Sequence, residues 1–222
     1  MSVTILLMAK TKDKKSEQVW ILDIDGVITD PKLKKVIYPE ILTIIVKRLI
    51  NNYLVAFNTG RSEKWLDERV LGLLRKLLKK EVGNLSPLSN LVNLCEMGSI
   101  IVEFDDSGKM IKRVLNKNVI PTVLKNTIKD MVSEVYSESM FVDETKEVIL
   151  TIEMKDGFSY EEYEIRQAEF REEIGIIMAN YHPHLQVGPS STTIAIDVKP
   201  IGAGKGWGLK KLSSGVSCAI FS

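Results

Sequence analysis

The apolar run Val19-Trp20-Ile21-Leu22-Asp23-Ile24, stopped by Asp25-Gly26, constrains the fold more than any other stretch of this chain. A run this short and this continuous suits a strand buried on both faces of a parallel sheet. From Pro39 onward Ile41, Leu42, Ile45, Val46 and Leu49 recur with helical period, with proline in the first turn and Asn51-Asn52 closing the helix. Tyr53 to Phe57 reads as a second strand, and Ser62 as the cap of a helix that carries Leu66, Val70, Leu74, Leu77 and Leu78 inward. Strand, helix, strand, helix in this order predicts right-handed βαβ crossovers and an α/β core.

After Glu96-Met97-Gly98 the rhythm changes. Ser99 to Phe104 and Met110 to Leu115, joined by Asp105-Asp106-Ser107-Gly108, read as an antiparallel hairpin. A helix around Thr122 to Val135, a strand near Val148 to Met154 and a long polar-faced helix from Tyr160 to Met178 follow. These elements predict a separate α+β unit over 102–189. Parallel-type strands are expected to return with Thr193 to Val198, and Val216 to Phe221 is a last apolar run.

A chain of 222 residues that is 45% hydrophobic and 27% charged holds one ordinary domain plus a large insertion, which excludes a disordered tail, a fibre and a disulfide miniprotein. The formal net charge of +1 leaves no bulk field to recruit nucleic acid or an anionic membrane, so a bound anion must be held by a local site. Cys95 and Cys218 stand far apart in apolar contexts, which suits reduced, packed thiols and a cytoplasmic location. Val3 to Met8 is too short to span a membrane and has no basic residues before it, and Lys10 to Gln18 reads as a polar leader to the first strand.

Three segments carry chemistry. Asp23-Ile24-Asp25-Gly26 places two carboxylates two positions apart at the C-terminal end of the first strand, the edge at which open α/β sheets bind ligands. One carboxylate can attack an electrophile while the other handles protons, and Gly26 lets the backbone turn close to a bound group. Asn58-Thr59-Gly60-Arg61-Ser62 offers a hydroxyl and backbone N–H groups ahead of a helix, which suits a phosphate oxygen; an ordinary turn with a serine cap explains the same residues. The third is Lys205 in a glycine-rich stretch. That stretch fails the phosphate-loop pattern, because Lys199 stands five before Gly204 and Gly206 follows the lysine, and it fails the dinucleotide pattern at Trp207.

Taken in order, these signals resemble the motifs of the haloacid dehalogenase (HAD) superfamily: Asp23-x-Asp25-Gly26 the first, Thr59-Gly60-Arg61 the second, Lys205 the third. Glu96-Met97-Gly98-Ser99 is similar to the Glu-Asn-Gly-Ala element of the Cof-type branch, with Met97 departing from the usual asparagine. Ile196-Asp197-Val198-Lys199-Pro200 with Lys205-Gly206 is similar to the third-motif region of sugar-phosphate phosphatases and phosphomannomutases. The resemblance implies a Rossmann-like core over 1–101 and 190–222 and an inserted C2-type α+β cap over 102–189. It implies that Asp23 attacks phosphorus, that Asp25 protonates the leaving oxygen and later activates water, that Thr59 and Gly60 hold the transferred group, and that Lys205 neutralises its charge. It implies magnesium held by an Asp23 carboxylate oxygen and the Asp25 carbonyl. The fourth motif, an acidic pair after the following strand, has no match before Ser222, so weaker magnesium binding is expected.

The expected function is therefore a magnesium-dependent phosphatase acting on a small phosphorylated metabolite, a sugar phosphate foremost, with no nucleic-acid or membrane partner. The alternatives are a phosphomannomutase-like phosphotransferase and a sugar-phosphate-binding protein impaired in catalysis by the missing acidic pair. His182 and His184 read as a surface turn or as substrate contacts, Lys155-Asp156-Gly157 as a turn that could also face substrate, and Lys76, Lys79 and Lys80 as a solvated helix face.

Overall fold

The computed structural model describes residues 19–30, 33–116, 120–182, 184–187 and 194–213. The expectations for Val3 to Met8, Lys10 to Gln18, Val216 to Phe221 and Cys218 lie outside the described residues. The chain divides into two compact units, one formed by 1–115 and 204–222, the other by 116–203.

The first unit is an α/β layer structure. Strand β1 (Trp20–Leu22) leads to a small hairpin of β2 (Thr29–Asp30) and β3 (Lys35–Val36), then helix α1 (Pro39–Ile50) and β4 (Val55–Asn58). Proline at the start of α1, Glu40 in its first turn and Lys47 and Arg48 in its last agree with the helix dipole, and Leu42, Ile45, Val46 and Leu49 are its buried stripe. Ser62 caps α2 (Glu63–Leu66), its hydroxyl accepting from the Trp65 N–H at 3.1 Å. The expected single helix is interrupted by a π turn, Asp67–Leu71, before α3 (Gly72–Val82). The buried residues Leu66, Val70, Leu74 and Leu78 recur every fourth position, which overshoots one α-helical turn by about 40° per step, and the wider π turn takes up that drift. Leu77 is only half-buried.

Strand β5 (Leu91–Cys95) follows a 3₁₀ turn, and β6 (Ile100–Phe104) and β7 (Met110–Val114) form the expected hairpin. The sheet order is β1-β4-β5-β6-β7, parallel from β1 to β5 and antiparallel beyond. Every residue of β4, β5 and β6 is buried, as strands covered on both faces require.

The inserted unit contains α4 (Thr122–Glu134), β8 (Met140–Val142), β9 (Leu150–Met154), α5 (Tyr160–Tyr181), β10 (Leu185–Val187) and β11 (Ala195–Pro200). Its sheet, ordered β10-β11-β9-β8, is antiparallel throughout. Ile128, Tyr163, Phe170, Ile174, Ile152 and Ile196 build its core, in which the Tyr136 ring meets Phe170 edge-on at 5.2 Å. Burial pushes the Tyr163 hydroxyl up to about 12. Gly157, at φ +85°, makes the expected turn at Lys155-Asp156-Gly157, and Ser159 caps α5. The chain re-enters the first unit with α6 (Lys205–Ser213).

Two boundaries differ from the expected 102–189. The hairpin belongs to the first unit because β6 pairs with β5, Asn93 to Val102 and Cys95 to Ile100, so the insertion starts at Asn116. Thr193 to Val198 does not return a parallel strand: β11 runs antiparallel between β9 and β10, and the insertion extends to Ala203. Buried and half-buried residues alternate along β11, as in a strand with one apolar face.

Candidate active site

Because β1, β4 and β5 are parallel, the segments that follow them leave the sheet at one edge. These segments are Asp23 to Thr29, Thr59 to Ser62 and Glu96 to Ser99. The first is a tight loop in which the N–H groups of Ile28 and Thr29 both donate to the Ile24 carbonyl at 2.9 Å, and Gly26 N–H donates to the Thr29 carbonyl at 2.8 Å. Gly26 has φ +81° with open space where a Cβ would lie, so backbone conformation alone selects glycine there. Ile24 and Ile28 are fully buried and anchor the loop from below.

Asp23 and Asp25 each face a cation from a distant part of the chain. Asp23 Oδ1 accepts from the Ile24 N–H at 2.7 Å, and Oδ2 forms an ion pair with Lys205 Nζ. The Asp25 carboxylate is gripped by Arg61, whose Nε lies 3.0 Å from Oδ2 and 3.3 Å from Oδ1 and whose second terminal nitrogen lies 3.2 Å from Oδ1. Lys205 stands at the first position of α6, and its carbonyl accepts from Asn58 Nδ2 at 3.3 Å, which ties the helix start to the end of β4.

Thr59 is fully buried; its N–H donates to the Leu94 carbonyl at 2.9 Å, its Oγ1 accepts from Arg61 N–H at 3.1 Å and its carbonyl accepts from Met97 N–H at 3.1 Å. Gly60 lies under Met97, whose Cε would stand 3.0 Å from a Cβ at that position. Glu96, Met97 and Gly98 all take positive φ, a left-handed turn that brings Gly98 against Gly208 of α6. A Cβ on Gly98 would lie 2.5 Å from the Gly208 Cα, so the glycines at 98 and 208 let the helix bearing Lys205 rest directly on this loop. That close packing accounts for Gly208 in a glycine-rich stretch whose phosphate-loop spacing failed.

Five sequence-predicted residues, Asp23, Asp25, Thr59, Gly60 and Lys205, thus lie in segments that converge on one sheet edge. Sequence reasoning missed Arg61 and Asn58. Arg61 was visible inside the second motif, but nothing in its spacing says which carboxylate it meets; Asn58 carries no signal beyond ending a strand. Cys95 is buried packing as expected: burial, with Glu96 beside it, pushes its thiol well above the usual range. Asp197 lies on β11 of the inserted unit, where Thr151 donates to it at 2.5 Å and Lys146 Nζ stands 3.9 Å away. His182 and His184 also lie there, with ring centroids 6.1 Å apart.

Magnesium prefers oxygen donors, and the Asp23 carboxylate and Asp25 carbonyl are of that kind. Among the described residues no group of three or more His, Cys, Asp or Glu is placed to hold a metal. Both Asp23 oxygens already receive N–H donors. The donor set fits a hard cation held largely by water and substrate oxygens. Among the described residues no helix is long and apolar enough to cross a membrane.

No protein-family model and no curated protein matches this sequence. Solved structures do. A haloacid dehalogenase-like hydrolase from Bacteroides thetaiotaomicron superposes with a TM-score of 0.61 at 12% identity, covering 92% of this chain and 81% of that one. The C-terminal domain of the C. albicans trehalose-6-phosphate phosphatase gives 0.57 at 18% identity over 92% of this chain and 64% of that one. The Plasmodium falciparum IMP-nucleotidase gives 0.59 at 12% identity over 98% of this chain, which spans about half of that protein's length (55%). The fold of this chain is that of the haloacid dehalogenase-like hydrolases.

Proposed function

We propose that this chain is a phosphatase that hydrolyses a small phosphorylated metabolite, a sugar phosphate foremost, through a phosphorylated Asp23, and that the inserted unit is its C2-type cap. The observation that carries the reading is the pairing of Asp23 with Lys205 and of Asp25 with Arg61, four residues drawn from three segments of the first unit. An oxygen of Asp23 attacks phosphorus while the bond to the leaving oxygen breaks, and Asp25 supplies that oxygen with a proton. Lys205, already beside Asp23, balances charge on the transferring group, as do the backbone N–H groups around Gly60. Water then attacks phosphorus, its proton passes to Asp25, and Asp23 is released.

Asp23 and the Asp25 carbonyl would hold magnesium, which supplies further charge stabilisation at the phosphoryl oxygens. Hydrolysis is expected to depend on added magnesium, and a rate unchanged by a chelator would contradict that.

The main test is p-nitrophenyl phosphate hydrolysis by wild type and Asp23→Asn. Activity is expected to fall by about 10⁴-fold or more in the variant, and beryllium trifluoride is expected to trap on residue 23. Equal rates in both proteins would place the chemistry elsewhere. The engagement of both Asp23 oxygens, by the Ile24 N–H and by Lys205, favours a second reading, a sugar-phosphate-binding protein without turnover, which predicts ligand binding with no phosphate release from wild type. A phosphomannomutase-like transferase differs from both in needing a bisphosphate activator.

A further inference from the structure

We infer that Arg61 is a positioning residue that holds Asp25 for the second half of the reaction, the hydrolysis of phosphorylated Asp23; the inference rests on the phosphatase reading. Arg61 directs N–H donors at both Asp25 oxygens, at 3.0, 3.2 and 3.3 Å. The carboxylate is thereby addressed as an acceptor, the form that takes a proton from water. A guanidinium fork fixes the plane of a carboxylate as well as its charge, which a lysine ammonium cannot do.

Arg61 is itself held through both its backbone and its side chain. The Arg61 N–H donates to Thr59 Oγ1 at 3.1 Å, and its carbonyl accepts from the Glu96 N–H at 3.0 Å. Its guanidinium carbon lies 4.8 Å from the centre of the Trp65 ring, which the Ser62 cap holds one turn into α2. Arg61 is 9% exposed and the Asp25 side chain 29%, so the guanidinium end of the pair is the more shielded from solvent screening. Asp23 has no such fork; its partner Lys205 is a point charge on a longer, more exposed stem. The carboxylate that must change its bond to phosphorus meets a point charge, and the carboxylate that must meet a water in one direction meets a planar fork.

In the step concerned, water oxygen bonds to phosphorus, the bond from phosphorus to the Asp23 oxygen breaks, the water proton passes to Asp25, and inorganic phosphate leaves. Arg61 touches none of the reacting atoms. Its loss therefore slows this step more than the first, provided the first has a leaving group that needs no proton.

p-Nitrophenyl phosphate meets that condition, because p-nitrophenolate departs unprotonated. Its kcat/KM reports transfer to Asp23, whereas kcat reports the slower half-reaction. For Arg61→Lys and Arg61→Ala the expected result is a kcat lowered by about 10- to 100-fold, a KM lowered in parallel, and a kcat/KM within about threefold of wild type. Rapid mixing should show a burst near one p-nitrophenolate per active site, with the phosphorylated protein accumulating. Added guanidinium, but not ammonium, should restore part of the Arg61→Ala rate.

A kcat/KM that falls with kcat and no burst, as loss of phosphate binding or of local structure would give, overturns the inference; so do variants equal to wild type. If Arg61→Ala does not fold, Arg61→Lys carries the same comparison. A wild type that hydrolyses nothing removes the phosphatase reading itself, whereas an active wild type with burst-free variants removes only the role of Arg61.

Discussion

The two sheets of this molecule order their strands in different ways. In the first unit β1, β4 and β5 run parallel, whereas every pair in the inserted sheet is antiparallel. Parallel strands send every following segment to the same edge, so residues 23–29, 59–62 and 96–99 leave the sheet together although they are far apart in sequence. Antiparallel strands send alternate connections to opposite ends. The inserted sheet therefore collects its polar groups on a face, such as Thr151, Asp197 and Lys146, and not at a strand end. Parallel order converts sequence distance into proximity at one edge, and the proposed chemistry is placed where that happens.

The largest expected effect is structural and belongs to the inserted unit. Phe170→Ala deletes a fully buried ring beside Tyr136 and should cost about 3–5 kcal/mol of stability. Amide hydrogen exchange should show the loss in β9 and β11, with β4 and β5 unaffected; equal loss in both sheets would mean that the two units unfold as one, and the contrast between them would lose its energetic content. Next, Lys205→Met leaves Asp23 without its cation and should lower kcat/KM for p-nitrophenyl phosphate by about 10²- to 10³-fold, with the melting temperature little changed. Retained activity would show that the parallel edge does not gather the working residues.

Gly98→Ala sharpens the point about close packing. The added methyl meets the Gly208 Cα at 2.5 Å in a left-handed backbone, so a cost of about 1–3 kcal/mol is expected, with reduced activity because the helix carrying Lys205 must shift. Thermal unfolding and kcat/KM measured together check it; unchanged values for both would show that α6 need not approach so closely.

The smallest effect is at the β6–β7 turn. Ser107, through its hydroxyl and its N–H, and the Lys109 N–H donate to Asp105 Oδ1, and the Ser107 hydroxyl foremost holds the carboxyl below its usual range. A depressed folded-state value means that the ionised form stabilises the turn above about pH 3.9, and that this contribution fades as pH falls through the lower folded value. A carboxyl carbon titration of Asp105 by NMR should show a midpoint below that of an unstructured aspartate. A midpoint at or above it would contradict the turn geometry.

Much of the fold was legible in the sequence because its signals are local. The continuous run ending at Ile24, the stripe Leu42-Ile45-Val46-Leu49, the Ser62 cap and the Asp105-to-Gly108 turn each depend on residues within one element. What misled was pairing. The hairpin from Ile100 to Val114 reads the same whether it closes one sheet or opens another unit, and only its hydrogen bonds to β5 assign it to the first. Likewise Ala195 to Pro200 shows strand composition without a direction, and its antiparallel neighbours decided that it closes the insertion.

The candidate site divides in the same manner. Sequence alone determined the residue types and their order: two carboxylates after a buried strand, a threonine and glycine after the next, a lysine after a long insertion. Only the tertiary structure decided that Arg61 grips Asp25, that Lys205 meets Asp23, and that Gly98 and Gly208 touch. The physical reason is that these contacts join side chains across loops whose closure follows from sheet order and helix seating, and neither is written in the spacing of residues along the chain.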